Sequence, residues 1–287
     1  MSTSVVRHVG ELVKFSHTIF ALPFALAAVV LAIPLAEVTV WKVSLIVLCI
    51  AAARTAAMAF NRLVDRDIDA ANPRTKEREI PRGVLSVGFV RALVLVSCSV
   101  FVVGAALLGP LPLMLSPLAL ALALGYSYMK RYTSLCHLVL GAAIAFAPGG
   151  AWIALGAPMG AAPWGLVIGV ASWVAGFDVL YALQDEGFDR DRGLRSIPVR
   201  FGVVGALVIS GLLHVITVVC LSWVGLTLAR GVPYFAGVTI VALLLAYEHS
   251  LVKPGDLSKI NKAFFDLNGY VSIGFLAFTA LDHMLMR

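Results

Sequence analysis

Asn61, Asp65 and Asp69 stand four residues apart in RTAAMAFNRLVDRDIDAANPRTKEREIPRG, residues 54–83, so on a helix their side chains stack along one face. Two carboxylates and an amide oxygen then point the same way. Carboxylates at this spacing repel by about 0.2–0.5 kcal/mol in an isolated helix. Oxygen-only donors suit a hard cation such as Mg²⁺, which takes one or two carboxylates and completes its shell with water and phosphate oxygens. The competing reading is a solvated helix end in which Arg62 and Arg66 supply intrahelical ion pairs. A second copy decides between them. Asp185 and Asp189, in YALQDEGFDRDRGLRS, repeat the D-x-x-x-D spacing, again closing an apolar segment and again followed by arginines. Two metal positions with a polyanion between them suit the departure of a diphosphate, whose developing negative charge the metals stabilise.

Cations surround both motifs. Arg74, Arg78 and Arg195 each follow an acidic pair at a distance that lets them reach back over the helix end, where a bidentate guanidinium suits phosphate or carboxylate. Lys130 and Arg131, in GYSYMKRYTSL, are either membrane-surface anchors or ligands for an anion. Arg54 lies two turns before Asn61 on the same face. A guanidinium inside a membrane helix costs at least about 2.5–3.5 kcal/mol, so Arg54 faces the interior, where it braces the aspartates, touches substrate or forms a structural ion pair. Arg54, Arg66 and Arg131 are candidates to meet a substrate carboxylate. Asp178 and Tyr181 precede Asp185 by about two turns and one turn and line the same side; an acid at the depth of Asp178 is unusual. His17, beside Ser16 and Thr18, is placed to line a cavity, whereas His137, His214, His249 and His283 show no ligand spacing. No Ser, Cys or His nucleophile constellation is present.

These residues need elements to hold them, and composition says which kind. Sixty per cent hydrophobic residues and a mean hydropathy of +0.94 over 287 residues exceed what a soluble core hides, so the chain is a polytopic all-α membrane protein. Apolar spans are expected near 18–35, 43–61, 89–109, 111–128, 135–156, 164–182, 203–226, 233–249 and 268–285, about nine transmembrane helices in a single domain over 1–287. Counted over alternate loops, all but Lys42, Arg230 and Arg287 of the 22 Lys and Arg residues fall on one side, which is therefore cytoplasmic. All acids except Glu37 and Asp282 gather in or near the same loops, so both aspartate motifs open to the cytoplasm. The opposite connections, GPLP at 109–112 and GAPMGAAP at 156–163, are short reversals. Residues 1–17 show no cleavable signal. Cys49, Cys98, Cys136 and Cys220 lack C-x-x-C spacing and are expected as packing residues without disulfides. The net charge of +6 fits cytoplasmic loops facing anionic headgroups and a phosphorylated substrate, with no sign of nucleic acid.

Taken together, the motifs resemble the UbiA-type intramembrane aromatic prenyltransferases, a family typified by 4-hydroxybenzoate polyprenyltransferase, over essentially the full chain. The residues that carry the resemblance are Asn61, Asp65 and Asp69; Arg74, Thr75 and Arg78; Tyr126 through Thr133; Tyr181, Asp185 and Asp189; and Gly193 with Ser196. It implies about nine helices around a central cavity, capped by two motif loops. It also implies Mg²⁺ held by Asn61, Asp65, Asp69, Asp185 and Asp189, and a polyprenyl diphosphate bound through the metals and Arg74, Arg78, Lys130, Arg131 and Arg195. The four aspartates would be the catalytic set, acting on a hydroxylated aromatic acid in ubiquinone or menaquinone biosynthesis at the bacterial inner membrane. Glu79 stands where many relatives have proline and Asp191 where some have lysine. With residues 15–26 and 193–202, these make the chain look more like a subgroup similar to enzymes that prenylate a dihydroxynaphthoate.

A transporter of a cation or anionic substrate would also be a polytopic bundle with intramembrane charge, but its site would lie at midplane on broken helices. A phosphotransferase acting on lipid-linked nucleotides would need a D-x-x-D-G run, which neither acidic stretch has. Soluble prenyl-chain synthases share paired aspartates and are excluded by hydropathy.

Overall fold

The computed structural model describes residues 3–12, 18–260 and 266–286. His17 and Arg287 lie outside the described residues. A short helix α1 (Thr3–Leu12) precedes α2 (Thr18–Ala32), α3 (Val40–Val64) and the one-turn-and-a-half α4 (Arg66–Ala71). The chain continues through α5 (Val87–Leu108), α6 (Pro110–Tyr132), α7 (Cys136–Leu155), α8 (Ala161–Ala182), a 3₁₀ turn at Leu183–Asp185 and α9 (Glu186–Asp191). It ends with α10 (Ile197–Thr227), α11 (Val232–Leu251) and α12 (Asn268–Leu285). Each expected span is a helix, and no strand occurs among the described residues.

Seven helical runs are long and apolar enough to cross a membrane, α3, α5, α6, α7, α8 continued to Asp191, α10 and α11. The chain is therefore an integral membrane protein. The expected nine is approximate because α2 has only 15 residues and α12 carries Asn268, Asp282 and His283, which lower its hydropathy. Asn268 and Asp282 are engaged inside the bundle. Trp173 Nε1 donates to Asn268 Oδ1 (2.7 Å), Asn268 Nδ2 donates to Glu248 Oε1 (2.8 Å), and Arg230 Nε donates to Asp282 Oδ2 (2.8 Å). Away from water, an unpaired partner in any of these would be expensive, and that keeps α8, α11 and α12 in one arrangement.

Local signals start and stop the helices where the site needs them. Thr39, Ser86 and Ser196 accept from the N–H groups of Lys42, Phe89 and Val199, capping α3, α5 and α10. Gly109, at φ 136°, lets α5 reverse directly into Pro110 at the first position of α6. Gly202, at φ 68°, breaks α10 after its first turns. The core joins α2, α7, α8, α10, α11 and α12, with Trp173 between Phe24 (4.8 Å) and Phe177 (5.1 Å). Val204, Val208, Leu212, Val215, Val219, Trp223 and Leu226 form an exposed stripe on α10, as a lipid-facing surface requires. Between α3, α5, α6, α7 and α8 lies a cavity of about 390 Å³ walled by Ala, Ile, Leu and Phe, with Arg54, Ser116 and Tyr126 among its few polar contributors.

Candidate active site

Both aspartate motifs sit where a long helix gives way to a short one. At Asp65 the backbone (φ −94°, ψ 6°) separates α3 from α4, and at Asp185 (φ −103°, ψ 1°) it separates the 3₁₀ turn from α9. These two matching bends lie in the sparsely populated bridge region, where active-site residues recur. Asn61, Asp65 and Asp69 therefore do not lie along one unbroken helix, as their spacing alone predicts. The i to i−4 pattern nevertheless carries across the bend, because Asp65 N donates to Asn61 O (2.9 Å) and Asp69 N donates to Asp65 O (2.7 Å). Asn61 Nδ2 then donates to Asp65 Oδ2 (2.8 Å), so the first two members of the motif do meet.

Each of the four aspartates is matched to one cation. Asp65 pairs with Arg131 (3.1 Å), Asp69 with Arg78 (2.6 Å), Asp185 with Arg74 (2.5 Å) and Asp189 with Lys130 (2.7 Å). Three of these pairs tie distant parts of the chain together. Arg74, in the loop after the first motif, forks onto both oxygens of Asp185 in the second, through Nε at 2.9 Å and Nη2. Lys130 and Arg131, adjacent at the end of α6, reach one motif each. Burial pushes the Asp65 carboxyl above the usual carboxylate range, and its bond to Arg131 pulls the other way. Burial opposes the charge on Arg74, but its bonds to Asp185 outweigh that and hold the guanidinium above its ordinary value.

The donor set suits a hard cation. Among the described residues no three His, Cys, Asp or Glu side chains converge as a ready-made ion cage, because each motif carboxylate is drawn to its own cation. Carboxylate capacity is left over all the same: Asp69 is buried, Arg78 takes its Oδ1, and its Oδ2 has no hydrogen-bond partner. An octahedral ion that takes one or two carboxylates and fills its shell from water and phosphate fits such a mouth.

The remaining predicted residues divide. Tyr181 accepts from Arg74 Nη1 (3.1 Å), and its ring lies under the same guanidinium (5.4 Å), so it joins the cluster. Arg54 lines the apolar cavity. Arg195 instead braces α6: its N–H donates to Lys130 O and its Nη1 to Tyr132 O, both at 2.7 Å. Arg66 lies at the surface, 44% exposed, 3.4 Å from Asp67, and is not brought to the aspartates. A residue just past the bend turns outward once α4 has changed direction.

Sequence reasoning gave no site role to three contributors. Asn72 is buried, donates from Nδ2 to Asp185 Oδ1 (3.3 Å) and accepts the Arg74 N–H on Oδ1 (2.9 Å), so it aims the loop that carries Arg74. Tyr126 lies in the cavity wall within electrostatic range of Arg54, Arg62, Asp65 and Asp178. His137, dismissed for want of ligand spacing, is buried with Nδ1 2.7 Å from Asp178 Oδ2. The depth of Asp178 was the available signal, since an intramembrane acid calls for a partner.

The chain is similar to known proteins over most of its length. Residues 21–271 match the UbiA prenyltransferase family. A 4-hydroxybenzoate octaprenyltransferase of Vibrio parahaemolyticus is 30% identical over 268 residues, 93% of this chain and 90% of that protein. The apo structure of a UbiA homolog from Aeropyrum pernix K1 superposes with a TM-score of 0.84 at 33% identity, covering 93% of this chain and 98% of the other. A UbiA homolog from Archaeoglobus fulgidus, solved bound to GPP and Mg²⁺, shares the fold with a TM-score of 0.75 at 20% identity, over 96% of this chain and 99% of that one.

Proposed function

The chain belongs to the UbiA prenyltransferase family, and from that premise and the site geometry we propose that it moves a polyprenyl group from polyprenyl diphosphate to the ring of a hydroxylated aromatic acid, of 4-hydroxybenzoate or dihydroxynaphthoate type, in quinone biosynthesis. The observation that carries this reading is the placement of four cation-matched aspartates at the bends of two helices, above an apolar cavity of about 390 Å³.

In this reading Asn61, Asp65, Asp69, Asp185 and Asp189 would hold Mg²⁺, which would supply charge stabilisation for the departing diphosphate. Arg74, Arg78, Lys130 and Arg131 exchange part of their carboxylate contacts for diphosphate oxygens, so the donor enters a site whose cations are already aimed. Arg195 fixes the backbone of Lys130, and Asn72 fixes that of Arg74. The allylic C–O bond breaks with its electron pair leaving on the diphosphate, and the ring carbon ortho to the acceptor hydroxyl bonds to the allylic carbon. The apolar wall keeps water from the cation. Arg54 sits two turns, about 10 Å, deeper than Asn61 along α3, the depth at which it would take the acceptor carboxylate. The motif mouth faces the cytoplasm, following the asymmetry of Lys and Arg.

Membranes containing the protein, given a long polyprenyl diphosphate and each acceptor in turn, are expected to prenylate one of the two, to lose the activity in EDTA and to regain it with excess Mg²⁺. Product formation indifferent to EDTA would remove the metal from the mechanism. Failure with both acceptors, from folded protein, would overturn the acceptor class.

A further inference from the structure

We propose that Asp178, oriented by His137, is the base that receives the proton lost from the acceptor ring. The assignment rests on the aromatic prenyl transfer proposed above and names the group that completes it. Along α8 from Ser172 to Ala182 every residue is buried except Asp178 and Tyr181, so in this tightly packed stretch only these two side chains open onto space. They are three residues apart and so share a face, and Tyr181 already belongs to the Arg74 cluster. Asp178 precedes Asp185 by seven residues, about 10 Å along the helix axis. Measured from the matching bend at Asp65, Arg54 lies deeper, about 16 Å along α3, and Tyr126 lies within electrostatic range of both Arg54 and Asp178. A ring whose carboxylate meets Arg54 would thus lie beside Asp178, below the level at which the diphosphate is held.

The pairing of Asp178 differs in kind from that of the motif aspartates. Among the described residues those four are each matched to a lysine or arginine, whereas the recorded partner of Asp178 is the ring of His137. The Ile197 N–H donates to His137 Nε2 (3.3 Å), which places the ring proton on Nδ1, directed at Asp178 Oδ2 (2.7 Å). One carboxylate oxygen is thereby fixed, and the side chain stays 24% exposed, so that the other oxygen is open to an acceptor. His137 acts through Asp178 and is a positioning residue.

The step balances without a further reactant. The allylic C–O bond breaks and diphosphate leaves with the pair; a ring π pair forms the new C–C bond. The arenium C–H pair then restores aromaticity while the proton passes to Asp178. In a water-poor cavity the same carboxylate faces the positive charge as it moves from the allyl group to the ring, where a fixed anion is worth more than in water.

The test uses full-length protein and whichever acceptor the wild type prenylates, carrying hydrogen or deuterium ortho to the hydroxyl. The wild type is expected to show an isotope effect near one, with ionisation limiting. Asp178→Asn is expected to lower kcat by about 100-fold, in line with loss of a general base, with KM for the prenyl diphosphate within about twofold and a primary isotope effect above about 3. His137→Gln should lower kcat less and raise the isotope effect as well, a shift that a purely structural role would not produce. If Asp178→Asn does not accumulate folded, Asp178→Glu is read with the same labelled acceptor, and an isotope effect near one for it counts against the assignment. A folded Asp178→Asn with kcat within threefold of wild type, or with lost turnover and no isotope effect, overturns the base. Absence of transfer by the wild type would instead overturn the reaction itself.

Discussion

At the scale of single residues the motif aspartates are distinguished by their partners. Arg74 offers two nitrogens to Asp185 and a third to Tyr181, and its own loop is held by Asn72. Arg66, equally basic and nearer in sequence to the first motif, ends at the surface beside Asp67. A hydrogen bond to a charged group is worth about 1.5–3 kcal/mol, or roughly 10–150-fold in an equilibrium or rate constant. Arg74→Ala is therefore expected to reduce kcat/KM for the prenyl diphosphate by at least about 10-fold. Arg66→Ala should stay within about twofold, measured side by side in the same membranes. Comparable losses in both would mean that the diphosphate is gripped outside the cluster the structure assembles.

At the scale of elements, the site depends on helices that approach closely and on polar contacts locked inside the bundle. A Cβ on Gly176 of α8 would lie 2.4 Å from the ring of His214 on α10, so the two helices touch through the missing side chain. Overpacking of this kind costs about 1–3 kcal/mol, and because α8 carries Asp178 and leads into the second motif, Gly176→Ala should lower thermal stability and activity together. At the opposite end of the bundle Arg230 and Asp282 are buried against each other, and Asp282 Oδ1 also accepts the Tyr234 N–H (3.4 Å). Removing one partner of a buried pair costs about 3–5 kcal/mol. Asp282→Ala is thus expected to lower the unfolding temperature in detergent more than Gly176→Ala does. The reverse order would indicate that the pair is hydrated in the membrane.

The whole molecule is asymmetric in charge, with most of its carboxylates and cations collected at one end of an apolar bundle. That end is expected to face the cytoplasm. In a background freed of Cys49, Cys98, Cys136 and Cys220, a cysteine replacing Glu77, which is 73% exposed, should react with an impermeant maleimide only in inverted vesicles. One replacing Val232, 83% exposed at the start of α11, should react only in right-side-out vesicles. Labelling of both positions from the same side would reject the arrangement.

The sequence by itself determined the membrane class, the positions of the long helices, the family and the carboxylates of the two motifs. Each of these is written in local period or composition: apolar runs of span length, and carboxylates four apart at helix ends. Helix direction past Asp65 was not legible, because i, i+4 spacing cannot reveal a backbone bend between its members. The matching of carboxylates to cations lay further out of reach. Arg74 and Asp185 are separated by 111 positions and His137 and Asp178 by 41, and no spacing rule joins residues so far apart. Only the packing of α3, α6, α7 and α8 selects, from many arginines, lysines and histidines of the right type, the ones that reach each acid, because an ion pair is decided over about 4 Å while the chain that supplies its two ends is free to run anywhere between them.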